Sequence, residues 1–392
     1  MNVLQVTAGN RAYPPDTGGY QRTHGLMLSF TESDDFVHRY CCSGILATYH
    51  EEGELLEEEV ELTPALVEKR HYSILHDIPK IVGHLGCPVF AWPATLKSWV
   101  GDRIVEQVNE ADVVMADSPH IAVFLAENTS TPTVYSSHNI EYERYLSTND
   151  GWLSKSFGNR YRRVEEAAAR KSDLVVCTTE RDCDQFSKDA SATAVIPNGI
   201  AGERITGTTT PAPRAKYDIP DDGVVATFLG SDYGPNVEAA DWLAENWSKL
   251  DEEYHLLILG DSGDSIETEQ ENVHTTGYVE DLQAALAMAD IALNPIFSGG
   301  GSNVKLLDYF AAELPVVSTP FGSRGFELEA GEDLLLAEKA DFFGAIDRLG
   351  SDESLRRRLG TNGQRSAAEN YTWESLSAQL RATFAETLTM QS

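Results

Sequence analysis

Positive charge is scarce in this chain of 392 residues: 30 Lys and Arg, ten of them Lys, stand against 62 Asp and Glu, for a formal net charge of −32. That balance excludes a sequence-independent nucleic-acid binder, whose affinity comes from neutralising phosphates with basic side chains. It excludes a polybasic membrane anchor for the same reason. Cysteine is thin as well. Cys41, Cys42, Cys87, Cys177 and Cys183 form neither a C-x-x-C pair nor an even framework, so reduced, buried thiols in a cytoplasmic protein are expected. The ten His include no H-x-x-x-H pair and no Asp-x-Asp closes a strand pattern, so no metal and no resident cofactor are expected. No apolar run approaches ~20 residues, and the opening MNVLQVTAGN lacks the basic start and apolar run of a signal peptide. Also missing are the G-x-G-x-x-G of a dinucleotide fold after the first strand and the G-x-S-x-G of a serine hydrolase.

The acid that is present is spread along the chain. Its one local concentration, EEGELLEEEVE at residues 51–61, reads as a solvated strand or loop face in preference to a docking site for a cationic partner. Dispersed acidity with few Lys suits a protein kept soluble in high salt, where screening removes most of the self-repulsion. A halophilic, archaeal source is the expectation.

Length favours two domains. Short apolar runs alternate with helical patterns, which predicts α/β architecture with parallel sheets. In the first half, strands are expected near residues 3–7, 36–41, 112–116, 133–136 and 173–177, with a long helix over 155–171. Residues 201–220 are rich in Thr, Pro and Gly and read as a linker. A second series follows: strands near 224–229, 254–260, 273–276, 290–294 and 315–318, helices over 235–249 and around 282–288, and a last helix over 373–388. Two Rossmann-like halves of this kind place ligands in a cleft at the carboxyl ends of their strands.

The most informative stretch is PIFSGGGSNVKLLDYFAAELPVVSTPFGSRG, residues 295–325. Gly299, Gly300 and Gly301 run directly into an amphipathic segment carrying Lys305 and, about one turn later, Asp308. A glycine loop opening a helix exposes unpaired N–H groups at the positive end of the helix dipole, an anion site. Ser302 and Asn303 are expected to cap that helix. Lys305 suits the anion, and the acceptor-only carboxylate of Asp308 suits hydroxyls. Phosphate beside hydroxyls describes a nucleotide sugar.

Further segments share this pattern: PPDTGGYQR (14–22) after the first strand, SSHNIEYERY (136–145) at a strand end, VIPNGI (195–200), FLGSDYGPNVEAADWL (228–243) and GYVEDL before the glycine loop. In this order and spacing the chain resembles, over nearly its whole length, the retaining GT-B glycosyltransferases of the group 1, family 4-like type, which include sucrose synthases, bacterial mannosyltransferases and many polysaccharide enzymes. The resemblance implies the GT-B fold: an acceptor-side domain over 1–200, a nucleotide-sugar-binding domain over 201–370, and a final helix (371–392) packing back on the first. It implies transfer of a sugar, with retention, from a nucleotide-sugar donor to a hydroxyl acceptor that is a glycan, a lipid-linked species or a small molecule. Peripheral association with the inner face of a membrane would accompany a lipid-linked acceptor. By resemblance, Lys305 and His138 are the catalytic candidates. Lys305 pairs with the diphosphate, and His138 touches the donor sugar or its leaving phosphate, with Glu141 orienting the ring or capping the next helix. Gly230, Ser231, Gly299, Gly300, Gly301, Ser302, Asn303 and Asp308 bind the donor, Asp308 through the ribose. Gly18 and Gly19 allow close backbone approach to phosphates and acceptor, and Arg22 either reaches a phosphate or is solvated. The aromatic-rich PVFAWPATLKSWV (88–100) reads as an apolar acceptor or membrane-facing surface, or equally as core.

Two departures stand out. The family's first loop glutamate falls on Gly300, which has no side chain, and SDYGPN (231–236) offers no cation where many members place one. Both motivate an alternative in which the fold binds its ligand without turnover. Another is a nucleotide-sugar epimerase, which would form product with no acceptor.

Overall fold

The computed structural model describes residues 1–8, 12–13, 18–31, 35–43, 52–72, 107–149, 151–207 and 209–389, together with Thr48 and Ile104. Residues 14–17 of the first loop, Cys87 and the aromatic stretch 88–100 lie outside the described residues.

Mainly apolar strands flanked by helices bury both faces of a parallel sheet, and this governs the central strands of each half of the chain. The first half runs β1 (Asn2–Ala8), α1 (Gly18–Gly25), α2 (Leu28–Thr31), β2 (Phe36–Ser43), β3 (Glu59–Thr63), β4 (Leu66–Tyr72), β5 (Val113–Ala116), α3 (Pro119–Asn128), β6 (Thr133–Ser136), α4 (Glu141–Thr148), α5 (Trp152–Lys171), β7 (Leu174–Cys177), α6 (Glu180–Phe186) and β8 (Thr193–Val195). Its strands form one sheet in the order β3-β4-β2-β1-β5-β6-β7-β8, parallel except for the β3–β4 hairpin. The acidic run ends in that hairpin, at the sheet edge, where Glu59 and Glu61 are exposed and Glu59 lies 3.6 Å from Lys69 of β4. Charge on an edge strand also discourages edge-to-edge association.

The second half begins with α7 (Gly202–Thr206) and a 3₁₀ turn (Arg214–Tyr217). The linker expected over 201–220 is therefore corrected. Ile205 and Ile219 are buried in the core beside it, and these two apolar anchors outweigh the Thr/Pro/Gly composition. There follow β9 (Val224–Leu229), α8 (Gly234–Asn246), β10 (Tyr254–Leu259), β11 (Val273–Thr275), α9 (Leu282–Ala287), β12 (Ile291–Asn294), α10 (Lys305–Ala311), β13 (Val316–Ser318), β14 (Leu335–Leu336), α11 (Phe342–Ser351) and α12 (Glu353–Asn370). The strands are all parallel in the order β11-β10-β9-β12-β13-β14. In both sheets the strand order reverses once, between β1 and β5 and between β9 and β12, and such switch points open crevices at the carboxyl ends of the strands.

The chain divides into two compact units, Met1–Asn198 with Trp373–Ser392, and Gly199–Thr372. The last helix, α13 (Trp373–Thr389), thus belongs to the first unit. Leu376, Leu380 and Phe384 are buried with Leu26, Phe30 and Val37, each such side chain contributing about 1.5–3 kcal/mol by burial. The Phe30 and Phe384 rings lie 5.7 Å apart. Ser377 Oγ donates to Leu26 O (2.7 Å) and accepts from the Ser29 N–H (2.9 Å). The seat is close-fitting: a side chain at Gly25 would run into the Trp373 ring.

Candidate active site

Tyr309 of α10 sets the position of the glycine loop in the second unit. Its hydroxyl accepts from the Leu229 N–H (2.7 Å) and donates to Leu293 O (3.1 Å), so α10 is fastened to β9 and β12 at their switch point. Asn294, buried at the end of β12, donates to Ser318 Oγ (3.0 Å) and Gly322 O (2.9 Å) and accepts from Asn303 Nδ2 (2.7 Å). Within that frame Gly299 has φ 115° and Gly301 φ 64°, backbone that side-chained residues rarely adopt. At Gly300 a side chain would meet open space.

The helix does not open directly from the glycines. It starts at Lys305 with Val304 as its N-cap, so the expected capping by Ser302 and Asn303 is corrected. Asn303 instead turns back to Asn294, and this bond across the base of the loop displaces the helix start by two residues. Lys305 lies in the first turn, most of its length buried. Its Nζ donates to Asn236 Oδ1 (2.8 Å) and sits 4.2 Å from the centre of the Phe228 ring. Burial lowers its pKa to about 7, with Asp308 opposing the shift. Asn236 also donates to Ser231 O at 3.3 Å. Gly230 faces Ser262 and Asn236 too closely for any side chain. The cation-free stretch SDYGPN thus supplies the acceptor that holds Lys305.

Asp308 is mostly buried and is paired. Its Oδ1 lies 2.7 Å from Arg204 Nη2. Burial raises its pKa, while Arg204 and then Lys305 pull it down. Sequence reasoning missed Arg204 because the segment around it reads as linker; its one local signal is the Glu203-Arg204-Ile205 triplet, helix-compatible within Thr/Gly-rich surroundings. It also gave no role to Arg324, which donates from Nη2 to Gly300 O (3.0 Å) and from Nη1 to Phe321 O (2.8 Å), with its guanidinium 4.0 Å over the Phe321 ring. A guanidinium therefore braces the glycine loop from the β13 side. Gly230, Ser231, Gly299 to Gly301, Asn303, Lys305 and Asp308 all gather at the carboxyl edge of this sheet, with Ser302 inside the loop.

In the first unit, Gly18 and Gly19 open α1, and the ring of His138, just past β6, comes 3.9 Å from the position of a Gly19 Cβ. Its Nε2 is enclosed and has no hydrogen-bond partner among the described residues. Burial, reinforced by Arg22 and Arg144, lowers the pKa of His138 to about 3, so the imidazole is neutral at physiological pH. Arg22 is not solvated. It is fully buried, donating from Nη1 to Pro197 O (2.9 Å) and Asn198 Oδ1 (3.3 Å), which joins α1 to the Pro-Asn-Gly turn. Burial lowers its pKa to about 10, against the pull of Asp117. Asp117 accepts from Thr23 Oγ1 (2.8 Å) and is raised by burial to about 6. Glu141 does not orient His138: it accepts from Arg144 (3.0 Å) and Asn139 (3.3 Å). The start of α4 is capped from a distance by the Glu165 carboxylate, which accepts from the Glu141 and Tyr142 N–H groups at 2.8 Å each and is raised by burial to about 8.

Residues 223–352 match the family described as Glycosyl transferases group 1, and residues 45–204 match Glycosyltransferase Family 4. Among solved structures, sucrose-phosphate synthase from Thermosynechococcus elongatus superposes with a TM-score of 0.72 at 15% identity, covering 100% of both chains. Glycosyltransferase family models thus match both halves of the chain, and its fold is GT-B. Anabaena HepE in complex with UDP superposes with a TM-score of 0.67 at 14% identity, over 98% of this chain and 100% of that one. The lipopolysaccharide core biosynthesis glycosyltransferase LpsE of Rhizobium meliloti is 26% identical over 224 residues, 53% of this chain and 62% of LpsE. The match thus spans less than two thirds of that relative.

Proposed function

We propose that this chain transfers a glycosyl group, with retention, from a nucleotide-sugar donor held at the glycine loop to a hydroxyl acceptor. The observation that carries the reading is the convergence of Lys305, Asp308 and the loop of Gly299 to Gly301 at one switch point. In this reading Lys305 and the loop amides stabilise the departing diphosphate, and Asp308 accepts from the ribose. Neutral His138 gives the first unit an uncharged hydrogen-bonding group whose Nε2 has no partner among the described residues. Such a site works by positioning and leaving-group stabilisation more than by a strong base. UDP in the Anabaena relative makes uridine donors the first to try. The LpsE likeness supports a glycan acceptor, and a lipid-linked one would bring the protein to the inner face of a membrane.

A binding protein without turnover is the second reading, favoured by the open, side-chain-free position at Gly300. A thermal-shift series in molar KCl with UDP-, GDP-, ADP- and dTDP-sugars tests the first. One donor class should raise the melting temperature of the wild type and leave Lys305→Ala and Asp308→Ala unmoved. No shift with any donor refutes donor binding, and binding without transfer to any acceptor establishes the second reading.

A further inference from the structure

Arg204 and Asp308 form a matched donor–acceptor pair beside the loop. The guanidinium is 33% exposed and the carboxylate 15%, so the pair is reachable from solvent on its Arg204 side. Arg204 Nη2 takes Oδ1 at 2.7 Å. Among the described residues, neither Asp308 Oδ2 nor the remaining guanidinium N–H groups of Arg204 have another partner. A lone carboxylate accepts two hydroxyls alike through its two oxygens. With one oxygen already held, the pair presents one acceptor and, next to it, a fork of donors.

We infer that Arg204 is a specificity-determining residue that makes the donor site select a nucleotide with an intact ribose cis-diol. The inference rests on the donor reading above. One hydroxyl donates to Asp308 Oδ2 and its neighbour accepts from Arg204, so each hydroxyl has a different partner. Loss of either leaves a half-buried polar group without its match. A 2′-deoxy or 3′-deoxy nucleotide is therefore rejected on the order of 10-fold. The two deoxy penalties have separate origins, one in Arg204 and one in Asp308.

Calorimetric titration of the 392-residue chain in molar KCl with UDP, GDP and ADP, each beside its 2′-deoxy and 3′-deoxy counterparts, tests this. The expected wild-type result is roughly 10-fold weaker binding of both deoxy forms of the preferred nucleotide. In Arg204→Gln one penalty should fall below about 3-fold while the other persists. Arg204→Lys, which keeps the charge without the planar fork, should restore it only in part. A purely structural Arg204 would weaken all three ligands equally and leave both ratios unchanged, which overturns the inference. Equal binding of ribo and deoxy forms by the wild type overturns it as well, with the donor reading intact. Binding of no nucleotide at all overturns the two together.

Discussion

Replacing Lys305 by Met should strengthen the fold while removing the binding that the lysine serves. The ammonium is held near pKa 7, against 10.5 for an unburied Lys, chiefly by burial. Each pKa unit of depression is worth about 1.4 kcal/mol in favour of the neutral form. The side chain keeps some solvent contact, so screening reduces the full value. Losing the 2.8 Å bond to Asn236 costs about 1 kcal/mol. A net gain of about 2 kcal/mol at neutral pH is the expected balance, or roughly 4–8 °C for a unit of this size. Its pH dependence carries the test. The folded pKa lies below the unfolded one, so between pH 7 and pH 10.5 the unfolded chain holds the extra proton. Wild-type stability therefore rises with pH across that window. The penalty is present in full below it and gone above it. Melts in molar KCl should show the Met variant ahead by the largest margin at the acid end, with the two curves converging at the alkaline end. Saturating nucleotide, at 100 times its dissociation constant, should add about 2.7 kcal/mol to the wild type alone. Parallel curves at every pH, or a less stable Met variant below pH 7, would refute the argument that Lys305 is buried at a cost for the sake of an anion.

Gly299 and Gly300 should separate cleanly. Gly299→Ala forces a side chain onto φ 115° and to 3.3 Å from Pro235 Cγ, and about 2 kcal/mol of destabilisation with weakened nucleotide binding is expected. Gly300→Ala, into open space, should stay within about 0.5 kcal/mol of wild type; chemical denaturation of both variants decides. Gly25→Leu should unseat α13 through the Trp373 clash, and protection of the amides of α13 in hydrogen exchange should be lost first; unchanged protection contradicts the packing described. His138, neutral down to about pH 3, should contribute no ionisation to a pH–rate profile between pH 5 and pH 8. His138→Gln should lower the rate on the order of 10- to 100-fold without changing the profile's shape, whereas a wild-type pKa near 6 that disappears in the variant would overturn the assignment.

The alternation of apolar runs and helical patterns made the parallel sheets legible, because a strand buried on both faces keeps few polar positions to blur it. Lys305 and Asp308 were legible for a different reason: a glycine triplet, a Lys and an acid within ten residues are a local pattern. What escaped was set by distance in the chain. Arg204 meets Asp308 across 104 residues (308 − 204), and Glu165 caps a helix 24 residues before it. Periodicity carries no record of such pairs. Arg22 shows the same limit from another side, since nothing in GGYQRTHG says which way a guanidinium faces. Ser302 and Asn303 had the residue types of a cap, but the longer-range bond to Asn294 took precedence over that local propensity.

The seating of α13 has a consequence for how the protein is made. Residues 1–198 leave the ribosome first, yet the strip of Leu26, Met27 and Phe30 has to wait for Leu376, Leu380 and Phe384. Residues 199–372 intervene, 174 of them (372 − 199 + 1). At ~5–20 residues per second that is a delay of roughly 10–35 s. During this interval the first sheet is assembled with one apolar strip uncovered, available to chaperones or to a neighbouring nascent chain. The second unit has no such debt and can close as soon as Thr372 has emerged. Maturation is thus reversed relative to synthesis, with the half translated first being the last to finish.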